Sequence, residues 1–133
     1  MIHKIQSSAN DFITLEIKRI KNERCLQIAK GTSILTFNLE ETKKLNAITQ
    51  SIDAEKYTLK DYGTLKKWSE LFKVNISAFR GIKSLHIREW VVSSTYAGFG
   101  KQWISLPTYK IKEFQGHMIS SMQELIVMIE GAK

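Results

Sequence analysis

The residues best suited to chemistry in this sequence are cations and aromatic rings crowded into one stretch. Between residues 71 and 112, seven Lys and Arg residues accompany a single acid, Glu89, and nine of the thirteen aromatic residues lie after residue 66. A surface that binds single-stranded nucleic acid uses this combination, because cations neutralise phosphates and flat rings stack on exposed bases. A simpler interpretation, in which the rings fill the core and the cations decorate its rim, stays open at this point.

Residue types for catalysis or metal binding are sparse. The three histidines, His3, His86 and His117, show no metal-ligand spacing, and no glycine-rich phosphate loop occurs. The single cysteine, Cys25, lies in an alternating strand pattern that is typical of a small buried hydrophobe. One cysteine also excludes a disulfide framework and a cysteine-based zinc site. We therefore expect a protein that is not an enzyme, with no cofactor and no metal.

Composition is that of an ordinary folded chain with a positive charge. The 133 residues suit one domain, and 43% of them are hydrophobic. No apolar run approaches the roughly 18 residues of a membrane span, and the first residues, MIHKIQSSAND, contain no apolar signal core. We therefore expect a cytoplasmic protein without a membrane partner. The net charge of +7 suits a polyanionic partner.

Hydrophobic periodicity in the first half predicts strands followed by a helix. Apolar residues alternate with polar ones over 11–20, 24–30 and 33–39, and an extra short strand is expected over 2–7. Leu45, Ile48 and Ile52 are then spaced by three and four, which predicts a helix over 40–52.

The second half repeats this order. Strands are predicted over 72–80, 84–92 and 100–106, after a weak strand or turn over 57–63. KKWSE at 66–70 predicts one helical turn, SSTYAGFG at 93–100 a flexible loop, and a long helix runs from 109 to about 130. The sequence therefore predicts an α+β fold of two ββββα repeats, with curved antiparallel sheets backed by helices. Residues 1–53 and 57–133 form the two halves of one compact unit.

Strand phase separates a core face from an outer face in the second half. The residues expected to point inward are Leu85, Ile87, Val91, Ile104 and Leu106. The opposite face then carries Lys73, Phe79, His86, Arg88, Trp90, Lys101 and Trp103. Exposed apolar groups gathered on one face are typical of a binding surface. The corresponding face of the first half has one ring, Phe12, and fewer cations, so we expect it to bind less well.

The segment FKVNISAFRGIKSLHIREW, followed by a loop, by GKQWISLP and by a long helix, resembles the transcriptional coactivator family called positive cofactor four. The matching pieces are Arg80-Gly81 in the loop, Ile87-Arg88-Glu89-Trp90, and Lys101-Gln102-Trp103-Ile104-Ser105-Leu106. The resemblance covers about residues 70–130. His86 stands where the family often has an acid, and Trp103 where it often has glycine. Two ββββα units in one chain are similar to the Whirly-type arrangement of the same superfamily.

The resemblance implies binding of single-stranded DNA, or of RNA in some relatives, with little sequence preference, in replication, recombination or transcription. The phosphate contacts that it implies are Lys73, Arg80, Lys83, Arg88 and Lys101. The implied stacking residues are Phe79, Trp90 and Trp103, with Tyr96 and Phe99 closing over the bases from the loop. Asn75 and His86 would hydrogen-bond bases or sugars.

Two alternatives stay open beside single-stranded DNA binding. The outer aromatic face would suit a module that docks another protein, and an RNA chaperone would use the same surface chemistry. The small size of the chain favours a protein of a bacterial or phage-infected cell over a regulated eukaryotic coactivator. Such a protein could be associated with the nucleoid.

The long helix also predicts self-association. It is apolar over more of its circumference than one small sheet covers, and such helices are buried on more than one side. We expect a homodimer or higher homo-oligomer formed through Met118, Ile119, Met122, Leu125, Ile126 and Ile129.

Overall fold

The computed structural model describes residues 2–67 and 70–131. The first sheet has the order β1 (Ile2–Gln6), β2 (Phe12–Ile20), β3 (Glu23–Lys30), β4 (Ser33–Phe37), and α1 (Leu39–Gln50) follows it. The second has the order β5 (Asp61–Lys67), β6 (Glu70–Phe79), β7 (Ile82–Val92), β8 (Ala97–Pro107). A 3-10 turn (Thr108–Lys110) then leads into α2 (Ile111–Gly131). All strand pairs are antiparallel, which confirms an α+β fold consistent with two ββββα units.

Two local predictions in the second half are wrong. The helical turn expected over 66–70 is not formed by the described residues of this segment, because Lys66, Lys67 and Glu70 are paired strand residues. Trp68 and Ser69 lie outside the described residues. The loop expected over 93–100 is also shorter, because β8 begins at Ala97. A tight turn closes the hairpin there, with the Ser93 amide donating to the Tyr96 carbonyl at 2.7 Å.

Local signals explain where α1 begins and how the hairpins turn. Asn38 caps the helix, since its side-chain oxygen accepts from the Glu41 amide at 2.9 Å and the Glu41 carboxylate accepts from the Asn38 amide at 2.8 Å. The β6–β7 hairpin turns through Arg80 and Gly81, with φ of 52° and 79°. Two successive left-handed residues match the twist of the flanking strands, and glycine adopts such a φ without strain.

The two halves share one apolar core. α2 packs on β1, β2 and β3 of the first sheet, whereas α1 contacts β5 of the second as well as β3 and β4. The helices are joined through Gln115, whose side-chain amide donates to the carbonyls of Thr49 and Ile52 at 2.9 and 2.8 Å. Each helix therefore packs on strands of the other half, and the core is continuous between the sheets.

This packing of α2 corrects part of the predicted oligomer surface. Met118 and Leu125 have no exposed surface, because the first sheet and the core cover them. They are therefore wrong as interface residues. Ile119 remains 37% exposed, and Met122, Ile126 and Ile129 are half-buried. Within residues 2–67 and 70–131, neither helix combines the length and the apolar character needed to cross a membrane.

Candidate nucleic-acid interface

The register of β6, β7 and β8 arranges polar residues in rows on one face of the second sheet. Lys73 pairs with Arg88, which pairs with Trp103, and in the next row Asn75 pairs with His86. The residues between them in sequence, including Ile87 and Ile104, are fully buried. Because neighbouring strand residues point to opposite sides, these rows lie on the side away from the core, here called the outer face.

Rings and cations alternate at one end of the outer face. Trp90 and Phe99 meet edge to face with centroids 5.1 Å apart, and the Lys73 ammonium lies 3.9 Å from the Trp90 centroid. The Arg88 guanidinium lies between two rings, 4.2 Å from Phe99 and 4.9 Å from Trp103. We call these five residues the ring–cation cluster. Each cation lies over one face of a ring, so the cluster holds positive charge directly against aromatic surface.

A bulge in β8 brings Phe99 into the cluster. Opposite the two-residue step from Arg88 to Trp90, β8 runs four residues, from Trp103 to Phe99. A Cβ on Gly100 would approach Glu89 Oε1 to 2.6 Å, so a larger residue there would displace the neighbouring side chains or the bulge itself. Regular alternation does not predict this irregularity, although bulges commonly re-aim side chains next to functional sites.

Trp103 and His86 form a second aromatic pair. The indole Nε1 donates to His86 Nδ1 at 2.8 Å, and the rings are stacked with centroids 5.6 Å apart. His86 must be neutral to accept this bond, which leaves its Nε2–H as a donor. Burial, together with the charges of Arg88 and Lys30, lowers the pKa of His86. The neighbouring Asn75 Oδ1 is buried and has no hydrogen-bond partner within the described part of the chain.

Lys30 is a site residue that the sequence did not reveal. It ends β3 of the first sheet, yet its ammonium donates to the Ser105 carbonyl of β8 at 2.7 Å and lies 3.4 Å from the Ser105 hydroxyl. Burial lowers the pKa of Lys30. The contact joins residues 75 positions apart, and only the packing of the two sheets creates it. It adds a cation from the first half to the edge of the outer face.

The remaining predicted residues are distributed differently. Phe79 and Arg80 lie at the tip of the β6–β7 hairpin, with the guanidinium 5.2 Å from the ring. Lys101 is exposed beside the β8 bulge. Lys83 pairs with Ala78 on the opposite side of the hairpin, where its ammonium lies 5.9 Å from the Tyr57 ring.

Tyr96 contacts the ring–cation cluster at one of its members, Phe99. Its hydroxyl donates to the Phe99 carbonyl at 3.0 Å, and its ring lines a cavity of about 690 Å³ with Glu89 and Val91. Those two residues flank Trp90 in β7 and therefore point to the other side of the sheet. The structure thus separates Lys83 from the other predicted residues, whereas Tyr96 lines one cavity with Phe99 and Lys101.

The other parts of the described chain show fewer exposed rings and no metal-ligand cluster. The first sheet has one exposed ring on its outward side, Phe12, and there Lys18 pairs with Glu16 at 3.8 Å. No set of three or more His, Cys, Asp or Glu side chains is positioned to hold a metal in the part of the chain that is described. Neither the family models nor the curated proteins with which the chain was compared match it.

Proposed function

We propose that this protein binds single-stranded DNA with little sequence specificity on the outer face of its second sheet. The observation that carries the proposal is the ring–cation cluster, in which Arg88 lies between Phe99 and Trp103 and Lys73 lies over Trp90. Phosphates would meet the two cations while bases stack on the adjacent rings. The proposed function is binding alone, with no chemical step.

Other residues extend the proposed contacts around the cluster. Lys101 and Lys30 would hold phosphates at the β8 edge, and Arg80 would do so at the hairpin tip. His86 Nε2–H is oriented by the Trp103 bond to donate to a base or sugar. Every base has a stacking face, so rings select unpaired strands without selecting a sequence. Duplex DNA hides these faces between its base pairs and would bind only through its phosphates.

We also propose that chains associate through the exposed side of α2. Ile119 is 37% exposed and Val127 is 68% exposed, and the half-buried Met122, Ile126 and Ile129 border them. An apolar helix face of this kind is self-complementary across a two-fold axis. Such a dimer leaves both outer faces free. We place the protein in the cytoplasm of a bacterial or phage-infected cell, acting in replication, recombination or transcription.

Binding of one labelled strand, alone and annealed to its complement, tests the proposed function. Fluorescence anisotropy at about 0.15 M salt should give a much lower Kd for the single strand. An RNA strand of the same sequence measures the preference between DNA and RNA. Equal affinity for single strand and duplex would overturn stacking, and no binding to either would favour a face that docks another protein.

A further inference from the structure

The β6–β7 hairpin extends beyond the strands on both sides of it. Pairing of β8 with β7 ends at Ser84, opposite Pro107, and pairing of β5 with β6 ends at Asn75, opposite Asp61. Residues 78–83 therefore form a two-stranded ribbon without a third strand, and all of them are exposed. We call residues 78–83 the tip ribbon.

The end of the tip ribbon carries an apolar pair surrounded by positive charge. Phe79 and Ile82 are direct partners across the turn, and they are 73% and 67% exposed. They lie on the outer face, two rows beyond the row that contains Asn75 and His86. Arg80 and Lys83 are the charged residues of the ribbon, and it contains no acid. An anionic partner with an apolar surface matches this end, and the end of a DNA duplex is such a partner.

The first half contains the same hairpin without the apolar pair. The β2–β3 turn also uses two left-handed residues, Lys21 and Asn22, with φ of 51° and 66°. Its partners across the turn are Ile20 and Glu23, and this hairpin lines a cavity with Ile129 of α2. The turn therefore does not require two exposed apolar residues. Their presence on the second hairpin is independent of the need to reverse the chain.

We propose that the tip ribbon recognises the junction where a single strand enters a duplex, with Phe79 and Ile82 packing on the last base pair. This proposal rests on the proposed function. Ile82 and Arg88 are six residues apart in β7, so the tip lies roughly 20 Å from the ring–cation cluster on the same face. A strand bound along β7 would thus present its duplex end to the tip. Apolar wedges in DNA-binding proteins unstack neighbouring bases in this way.

A forked DNA and a matched pair of variants test this proposal. The fork carries 2-aminopurine, a fluorescent base that brightens on unstacking, at its last base pair, and its arm has the sequence of a separate single strand. The wild type should bind the fork about tenfold more tightly than the strand, a gain within the range for one stacked base, and should brighten the probe. Ile82→Ser should keep its affinity for the strand and lose both effects. Ile2→Ser, at a 50% exposed isoleucine of the first sheet, is the control and should behave as wild type.

The outcomes separate this proposal from the proposed function. If the wild type binds the strand but the fork no more tightly, the junction proposal is wrong and the proposed function survives. The proposal is also wrong if Ile82→Ser keeps the fork preference, or if light scattering shows that Ile82→Ser dissociates an oligomer without changing fork binding. Failure to bind the strand at all overturns both.

Discussion

The indole of Trp103 links the proposed binding face to ionisation of one histidine. Its Nε1–H donates to His86 Nδ1, which can accept only while the imidazole is neutral. Burial and the charges of Arg88 and Lys30 lower the pKa of His86 below the ordinary value of 6.5. The folded chain therefore favours the neutral form. Its contribution to stability is complete above the ordinary pKa and is lost as pH falls toward the lower pKa of the folded state.

We predict that the free energy of unfolding falls between about pH 7 and pH 5 and that His86→Gln reduces this fall. His117 also contributes to the fall, since its pKa is lowered by burial and by His3. Urea unfolding of the wild type and of His86→Gln at both pH values measures the difference. An identical pH dependence in the two proteins would show that the His86–Trp103 bond does not couple protonation to stability.

Of the two tryptophans on the outer face, Trp103 is the one whose removal should affect the fold less. It is 42% exposed, whereas Trp90 is half-buried beneath Lys73 and beside Phe99. We predict that Trp103→Ala weakens single-strand binding by about 1–3 kcal/mol, the usual value of one stacked base, with little change in Tm. Phe12→Ala is the matched control, because Phe12 is a 48% exposed ring of the first sheet. If Tm falls while affinity is unchanged, Trp103 serves packing only.

Lys30 belongs to the first half, so its substitution tests whether a cation of that half contributes to binding on the second sheet. We predict that Lys30→Met, which keeps the aliphatic stem, weakens single-strand binding and reduces the salt dependence of log K by about 0.7, the value of one phosphate contact. Lys18→Met is the control, since Lys18 already pairs with Glu16 on the first sheet. Titrations at several salt concentrations give both slopes. Equal slopes for Lys30→Met and wild type would remove Lys30 from the proposed contacts.

At the scale of elements, the β8 bulge determines whether the rings meet. A Cβ on Gly100 would lie 2.6 Å from Glu89 Oε1 and 2.8 Å from Val91 Cγ2, so either these side chains or β8 itself has to shift. We predict that Gly100→Ala moves Phe99 away from Trp90 and weakens single-strand binding. Gly116→Ala is the control, because nothing lies within 4 Å of its Cβ in α2. It should stabilise the fold by about 0.5–1 kcal/mol and leave binding unchanged. Unchanged binding by Gly100→Ala would exclude the bulge as a positioning device.

The sequence predicts elements well where one face is buried. Alternation correctly assigned Leu85, Ile87 and Ile104 to the core, and with them the outward direction of Arg88 and Trp103. It did not predict the β8 bulge, because the bulge adds two residues and so leaves the phase of a period-two pattern unchanged. The sequence also did not predict which sheet α2 packs on. Periodicity shows that a helix has an apolar stripe, but it does not show which sheet the stripe contacts. Lys30 reaches the outer face only because the two sheets pack against each other.

At the scale of the whole molecule, the packing of each helix on strands of the other half limits the surface through which chains can associate. The first sheet already covers Met118 and Leu125, so the exposed apolar surface is narrower than the sequence indicates. We predict that light scattering gives a mass above the 15.3 kDa of one chain and that Ile119→Glu lowers it. Tyr109→Glu, at a 76% exposed residue preceding α2, should leave the mass unchanged. A wild type that remains monomeric at high micromolar concentration would contradict association through α2.

The central claim, that bases stack on the outer face, is tested most directly by a strand that has no bases. Affinity is measured for a single strand of about 16 nucleotides and for an abasic strand of equal length and charge, in the same salt. Because each stacked base contributes about 1–3 kcal/mol, the account predicts that the abasic strand binds at least tenfold more weakly. Equal affinity of the two strands would show that phosphate contacts alone hold the nucleic acid and would contradict the account.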